Sequence, residues 1–374
     1  MYTVLKEDEM SDAPKSPPAA VASEAATAYR THAPALVDHV NSALEARVDL
    51  DDLIGANPLA VMRDNHANHA RFMSNVFALS SFELIESTVP WVYRAYGQHG
   101  FSNDYFPAVV RAFRAAVCEL LASAVHADLC AVYDWMLESH ERFLAAASTA
   151  RPPDLGEQAE AERGRVVEMM LAGERRALLA HAKKRVTTPE ELKRFYLQVL
   201  MPAMYEIGRR WERGEISVAH EHLASALAGQ VMATLYPVAA GSERSKGVAV
   251  VTAAPNEHHE MGARMVSDLL ECDGWDVRYL GANTPPEELV EILREAQPHL
   301  LCVSVAMPFN LTGAGEMIAA VRNAEGLDSI RIMVGGKTLN EVGSAVEMLG
   351  ADGFARDASE AVELAAGWWS DEVA

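Results

Sequence analysis

The chain has 374 residues, 53 acidic against 32 basic side chains, and a formal net charge of −21. That length accommodates about two to three domains with cores of their own, and the acidic balance excludes a reader of phosphate backbones, which needs clustered Lys and Arg. No run of the ~18 apolar residues that a membrane span requires is apparent, and no leader peptide opens the chain, so neither nucleic acid nor membrane is an expected partner and the expected location is cytoplasmic.

Residues 1–25, with a Pro-, Ala- and Ser-rich stretch from residue 11, read as a disordered tail. Helical patterns follow at 25–44, 58–79, 82–96, 105–126 and 129–147, interrupted by few β-branched runs. Five or six helices over residues 26–150 predict a globin-like helical domain. Its most polar stretch runs from Arg63 to Arg71, where i, i+3 spacing sets His66 beside His69 with Arg63 on a neighbouring stripe. That trio suits the propionates and pyrrole nitrogens of a tetrapyrrole. A solvated helix face explains it equally well, and a helical His can also ligate haem iron. The aromatic cluster Trp91, Tyr93, Tyr96, Phe101, Tyr105 and Phe106 reads as core or as the lining of a chromophore pocket.

Arg151-Pro152-Pro153-Asp154 reads as a linker. Beyond it, periodic stretches at 158–171, 174–185, 190–213 and 218–235, separated by short breaks, predict a four-helix bundle within residues 158–240. From residue 245 to 370 the pattern changes to strands at 247–254, 277–280, 299–306 and 330–334, alternating with helices at 262–270, 286–296, 314–321 and 359–368. Nearly continuous apolar strands alternating with helices imply a buried parallel sheet, hence a flavodoxin-like (Rossmann-type) doubly wound domain. The fold class is therefore multidomain, α and α/β. Four cysteines, Cys118, Cys130, Cys272 and Cys302, lack zinc-type spacing and read as reduced packing residues.

The first of these strands runs directly into Glu257-His258-His259-Glu260-Met261-Gly262. A carboxylate two residues before an imidazole can accept one ring N–H, fix the tautomer and raise the basicity of the other nitrogen. A glycine three residues on admits close backbone approach. The pattern resembles the Asp-x-His-x-x-Gly signature of cobalamin-binding domains, with Glu in place of Asp. The resemblance implies that His259 is the lower cobalt ligand, supported by Glu257, and that Gly262 lies against the cofactor's nucleotide tail. Ser304, ending the third strand, and Gly335-Gly336, after the fourth, match further elements of that family, although Ser304-Val305-Ala306 carries Ala where the family has Leu.

Upstream, Trp211 followed by Glu221-His222 resembles the helical cap of CarH-type adenosylcobalamin photoreceptors, and implies that these three enclose an adenosyl group. One departure stands out: Glu212 follows Trp211 where those repressors have a His, so a bis-imidazole light product is impossible at that position. The whole order of domains is similar to the photocobilins, which combine biliverdin with cobalamin. That resemblance implies a light sensor, not an enzyme, holding adenosylcobalamin and, at Arg63, His66 and His69, biliverdin; it would signal to a regulated partner protein, and a homo-oligomer is expected. Two alternatives remain. A corrinoid methyl-carrier subunit of a methyltransferase system shares the same domains but must expose the upper cobalt face, which Trp211, Glu221 and His222 oppose; a haem or redox sensor with cobalamin is the other. A radical mutase would need a substrate barrel of strand–helix repeats that the chain lacks.

Overall fold

The computed structural model describes residues 17–18, 20–149 and 157–373. Most of the expected tail and the whole linker at 151–154 lie outside them. Where the tail is described it is anchored: Val21 is buried and its N–H donates to Ser80 Oγ at 3.0 Å, and the first helix already begins at Ser23.

Seven helices make up the N-terminal part: α1 (Ser23–Glu45), α2 (Leu50–Ile54), α3 (Leu59–Leu79), α4 (Glu83–Gln98), α5 (Tyr105–Leu120), α6 (Ser123–Glu138) and α7 (His140–Thr149). α1 buries Tyr29, Leu36, Val40 and Leu44, a stripe at helical spacing, against α3, α5 and α6. Each such side chain removed from water contributes about 1.5–3 kcal/mol. Tyr29 and Tyr133 share a buried hydroxyl–hydroxyl hydrogen bond of 2.7 Å, which satisfies two polar groups that burial would otherwise penalise. The helices expected at 105–126 and 129–147 divide differently. The chain turns out of helix at Leu121, whose backbone is extended and whose side chain is buried, and α6 ends at a buried Ser139. Neither break carries a Gly or Pro, so no local signal announced it.

The middle part contains α8 (Glu157–Leu171), α9 (Arg175–Arg185), α10 (Pro189–Phe195), α11 (Met201–Glu212) and α12 (Val218–Ala240). Thr188 and Glu191 form a reciprocal capping box at the start of α10, with Pro189 in the first turn. The helix expected as one run over 190–213 passes through a π turn at Tyr196–Leu200, where Met201 N–H bonds to the carbonyl of Tyr196. This wider turn precedes Pro202, which has no N–H to give an ordinary α-turn. α12 is long and apolar enough to cross a membrane by length and hydropathy, contrary to the expectation that no such run exists. Here it packs against α8, α9, α11 and the first helix of the sheet domain, burying Ala224, Leu227, Ala228, Val231, Met232 and Leu235.

The sheet domain follows: β1 (Val248–Ala253), α13 (Met261–Cys272), β2 (Asp276–Gly281), α14 (Pro286–Ala296), β3 (Leu300–Ser304), a 3₁₀ turn (Pro308–Asn310), α15 (Leu311–Arg322), β4 (Arg331–Gly335), α16 (Lys337–Glu341), α17 (Ser344–Met348), β5 (Gly353–Ala355) and α18 (Ala358–Val373). All strand pairings are parallel, in the order β2-β1-β3-β4-β5. This is the expected flavodoxin-like order, with the switch point between β1 and β3; the three-residue β5 was not anticipated. α13 and α18 cover one face of the sheet, α14 and α15 the other. The N-terminal helices dock on this domain as well: Thr312 N–H donates to Asn75 Oδ1 at 2.6 Å, and Arg30 pairs with Glu316 at 2.7 Å.

α13 joins the sheet to the middle helices through Asp268, which is 2% exposed and accepts the Tyr196 hydroxyl at 2.7 Å. Burial pushes the Asp268 pKa up to about 6 against the opposing pull of Tyr196 and Arg264. Because an unfolded Asp titrates near about 3.9, folding takes up a proton between roughly pH 4 and pH 6, and stability falls across that window by roughly 3 kcal/mol as pH rises. Asp268→Asn keeps the acceptor for Tyr196 and removes the charge. Urea unfolding at pH 4.5 and 7.5 should therefore show the variant gaining stability over wild type at the higher pH only.

Candidate functional site

The loop leaving β1 turns at Asn256, whose φ of 60° is one that Asn tolerates and most side chains do not; its N–H is held by Asn283 Oδ1 at 2.7 Å. The turn aims Glu257 inward at the switch point, where it is 0% exposed. One carboxylate oxygen accepts the backbone N–H of His259 at 3.0 Å and its ring Nδ1–H at 2.7 Å. The other accepts the N–H groups of Ala306 and Met307 at 2.9 and 2.8 Å and Asn310 Nδ2 at 2.9 Å. Burial pushes the Glu257 carboxyl upward in pKa, but the bonds from the His259 ring and backbone and from Asn310 outweigh it and hold the value at about 2. Glu257 is thus a buried anion with all its charge directed at donors, one of them the His259 ring.

With Nδ1–H committed to Glu257, the lone pair of His259 lies on Nε2, and the side chain is 64% exposed. The hydrogen bond to Glu257 raises the His259 pKa, partly offset by desolvation, which is the sign of a more basic nitrogen. His258 is exposed and takes no part. Among the described residues no group of three or more His, Cys, Asp or Glu side chains is placed to hold a metal ion. One preorganised imidazole therefore suits a metal that brings its other ligands with it, as within a macrocycle.

A slot of about 640 Å³, counting the space open to solvent, runs between α13, Met201 and Tyr205 of α11, and the carboxyl ends of β1, β3, β4 and β5. Its floor is apolar, formed by Val251, Met265, Val266, Cys302 and Met333, while Ser304, Lys337, Asn340 and Asp357 stand at the rim. Gly262 borders it, and a Cβ there would meet no atom within 4 Å, so the space beside it is free for a ligand. Gly335 and Gly336 also line the slot, and the backbone itself needs them. A Cβ on Gly335 would sit 2.8 Å from the Ala355 carbonyl oxygen, and one on Gly336, at φ +112°, 2.4 Å from that of Val305; the backbone requires both before any ligand is considered. The Ala at 306, where Leu was the family residue, contributes its backbone N–H to Glu257. Asn310 was missed by sequence reasoning, since a lone Asn after a Pro-Phe pair carries no recognisable spacing.

Across the cleft, in the first turn of α12, Glu221 binds His222 Nδ1 at 2.6 Å and accepts Ser225 Oγ at 2.7 Å. The Glu221 charge also acts on the His259 ring and raises its pKa. Trp211 lies at the end of α11, its carbonyl accepting His99 Nε2–H at 2.9 Å and its ring 4.8 Å from that of His99. Of the expected trio, His66 and His69 both pack against Phe113, and Arg63 lies on the outside of α3. Arg63 is exposed and paired with Glu45 at 2.8 Å. His66, fully buried, binds Asn41 Oδ1 through Nδ1 at 2.6 Å, and His69 is packed between Phe113 and Tyr133. Burial lowers their pKa values to about 4 and about 3. The solvated-face alternative fails, because both rings pack against Phe113 and burial keeps them neutral near pH 7. Of the aromatic group, Tyr93, Phe101, Tyr105 and Phe106 pack as core, with Tyr93 and Phe106 stacked at 3.9 Å.

The sequence matches the B12 binding domain family over residues 247–364, and a second family of the same description over residues 163–236. Dimethylamine corrinoid protein 3 of Methanosarcina mazei is 32% identical over 165 residues, 43% of this chain and 97% of that protein. The chain belongs to the corrinoid proteins. Dimethylamine corrinoid protein 1 of the same organism is 28% identical over 202 residues, 53% of this chain and 91% of that protein. A solved monomethylamine corrinoid protein of Methanosarcina barkeri aligns with a TM-score of 0.49 at 20% identity, over 55% of this chain and 97% of that one. Corrinoid binding is thus established as expected. The light sensor is corrected: these relatives are methylamine corrinoid proteins, which is the alternative reading of the chain. They specify the corrinoid without its upper-face group, and they lend nothing to biliverdin.

The glycines separate binding from folding. Gly262→Leu replaces a poor helix former beside empty space, so the apoprotein should melt at or slightly above the wild-type temperature while cobalamin affinity drops at least ~10-fold. Gly336→Ala forces a side chain into a left-handed conformation against a carbonyl, at a cost of at least about 1–3 kcal/mol, and should lower the apoprotein melting temperature by about 5 °C. Melting curves and cobalamin titrations of both variants read these outcomes.

Proposed function

We propose that the protein is a corrinoid carrier of a methyl-transfer system, passing a methyl group between partner enzymes and performing no turnover alone. The observation that carries this reading is the pinned, outward-facing imidazole of His259, three residues before the Gly262 that borders the slot, in a chain that belongs to the corrinoid proteins. The corrinoid, when bound, supplies a cobalt atom that accepts and releases a methyl group.

The chain's own residues do the rest. His259 Nε2 would hold the cobalt, and Glu257 keeps the other ring nitrogen protonated and oriented, so the imidazole does not have to be reordered when the cofactor enters. The slot bordered by Gly262 and Ser304 takes the displaced nucleotide tail. α8, α9, the α10–α11 run and α12 act as a four-helix bundle over the opposite face, where Trp211 excludes water and Glu221 and His222 offer polar contacts. A carrier must uncover that face to its partners. Partner methyltransferases therefore meet the protein on the side of α11 and α12, not on the sheet side.

Removing the ligand tests the lower face. His259→Ala should cut cobalamin retention through gel filtration at least ~10-fold, whereas His258→Ala should stay within about twofold of wild type. Equal retention by His259→Ala would show that the lower ligand is misassigned. For the transfer itself, the protein loaded with methylcobalamin and mixed with a thiol acceptor and its corrinoid methyltransferase should lose the methyl–cobalt absorbance. Retention of the methyl group under conditions that demethylate dimethylamine corrinoid protein 3 of M. mazei would overturn the carrier reading.

A further inference from the structure

Dimethylamine corrinoid protein 3 is covered almost end to end by less than half of this chain, and both B12 binding domain matches begin after residue 160. The helices α1–α7 are therefore additional to what that relative contains. They are not detached from the site. Trp91 of α4 donates its indole N–H to Glu212 Oε1 at 2.6 Å, and Arg94 reaches the other oxygen at 3.4 Å, leaving the Glu212 side chain 16% exposed. One turn further, His99 donates to the carbonyl of Trp211 and lays its ring beside the indole. The turn after α11 accommodates this approach through Gly214, at φ +69°, where a Cβ would meet the Gln98 carbonyl oxygen at 3.2 Å. On its other side the Trp91 ring receives Lys337 Nζ at 5.6 Å, and Lys337 stands at the rim of the slot.

α4 thus touches both walls of the cleft, the α11 end on one side and the Gly336–Lys337 turn on the other. A side chain as large as Trp211 at the end of a helix is free to swing unless something fixes it. The contacts that fix it here come from 112 residues away in the chain.

We propose that His99 is a positioning residue of the corrinoid site: through His99, with Trp91 and Arg94 gripping Glu212, the N-terminal helices hold Trp211 in place and set the room available to the upper-face group. The inference rests on the corrinoid reading, since it assigns Trp211 to the face opposite His259. Its consequence is selectivity. Loosening the grip should change the protein's preference between small and large upper-face groups while leaving attachment through His259 untouched.

The test uses the full chain with His99→Ala, His99→Gln and Trp91→Phe. Without cofactor, hydrogen exchange of amides in 209–216 should accelerate at least ~10-fold in His99→Ala while sheet-domain peptides remain as in wild type. His99→Gln, which keeps a donor for the Trp211 carbonyl, should restore most of the protection, and Trp91→Phe should accelerate the same segment. With cofactor, the ratio of affinities for adenosylcobalamin and methylcobalamin should shift at least ~5-fold in His99→Ala, with hydroxocobalamin affinity within about twofold. Unchanged exchange in 209–216 in both His99→Ala and Trp91→Phe, or an unchanged affinity ratio, overturns the proposal. A loss common to all three cobalamins also overturns it, because a positioning role predicts discrimination. Wild-type protein that binds no cobalamin would instead sink the corrinoid reading and leave the exchange result standing by itself.

Discussion

Five hydrogen bonds converge on the buried carboxylate of Glu257, and the geometry of the site follows from them. An ionised carboxylate taken out of water costs several kcal/mol unless donors replace the solvent. Here the donors come from three segments: the loop after β1, the exit of β3 and the 3₁₀ turn. The charge therefore does two things at once. It closes the switch point by tying β1 to β3 beyond their last ladder bonds, and it orients the His259 ring with the strength of a charge-assisted hydrogen bond. A Gln at 257 would keep the shape but could not accept from all five donors, since its amide nitrogen is itself a donor.

Around that point the chain divides its work by element type. The sheet, with every strand feeding its carboxyl end to the same rim, supplies the imidazole and the slot. The middle helices supply the facing wall, tied to the sheet by the buried Tyr196–Asp268 contact. The N-terminal helices bear on both, through Asn75 and Arg30 on the sheet domain and Trp91, Arg94 and His99 on α11. Glu212 has its role in that last contact.

The corrected function has a physical root. A lower ligand, its carboxylate and a tail slot are the same whether the upper cobalt face carries an adenosyl or a methyl group, so the Glu-x-His-x-x-Gly motif is blind to the difference. Trp211, Glu221 and His222 were read as a closed lid. In the structure Glu221 and His222 pair with each other in the first turn of α12, with the His222 side chain 73% exposed.

What the sequence by itself determined was whatever repeats or concentrates locally. Apolar strands alternating with helices predicted the parallel doubly wound sheet, because a strand buried on both faces has to be apolar throughout; and the six residues from Glu257 to Gly262 carried the imidazole, its carboxylate partner and the open glycine, because all three lie within one loop. Only the tertiary structure decided the rest. Asn310 reaches Glu257 from 53 residues away and Trp91 reaches Glu212 from 121, and such pairs leave no periodicity to read. The break at Leu121 is made by a side chain entering a core, not by a helix-breaking residue. His66 and His69 show the same limit in reverse: their spacing was clear, but whether it faced water, a ligand or Phe113 and Tyr133 depended on where α5 and α6 came to lie, which no pattern within α3 records.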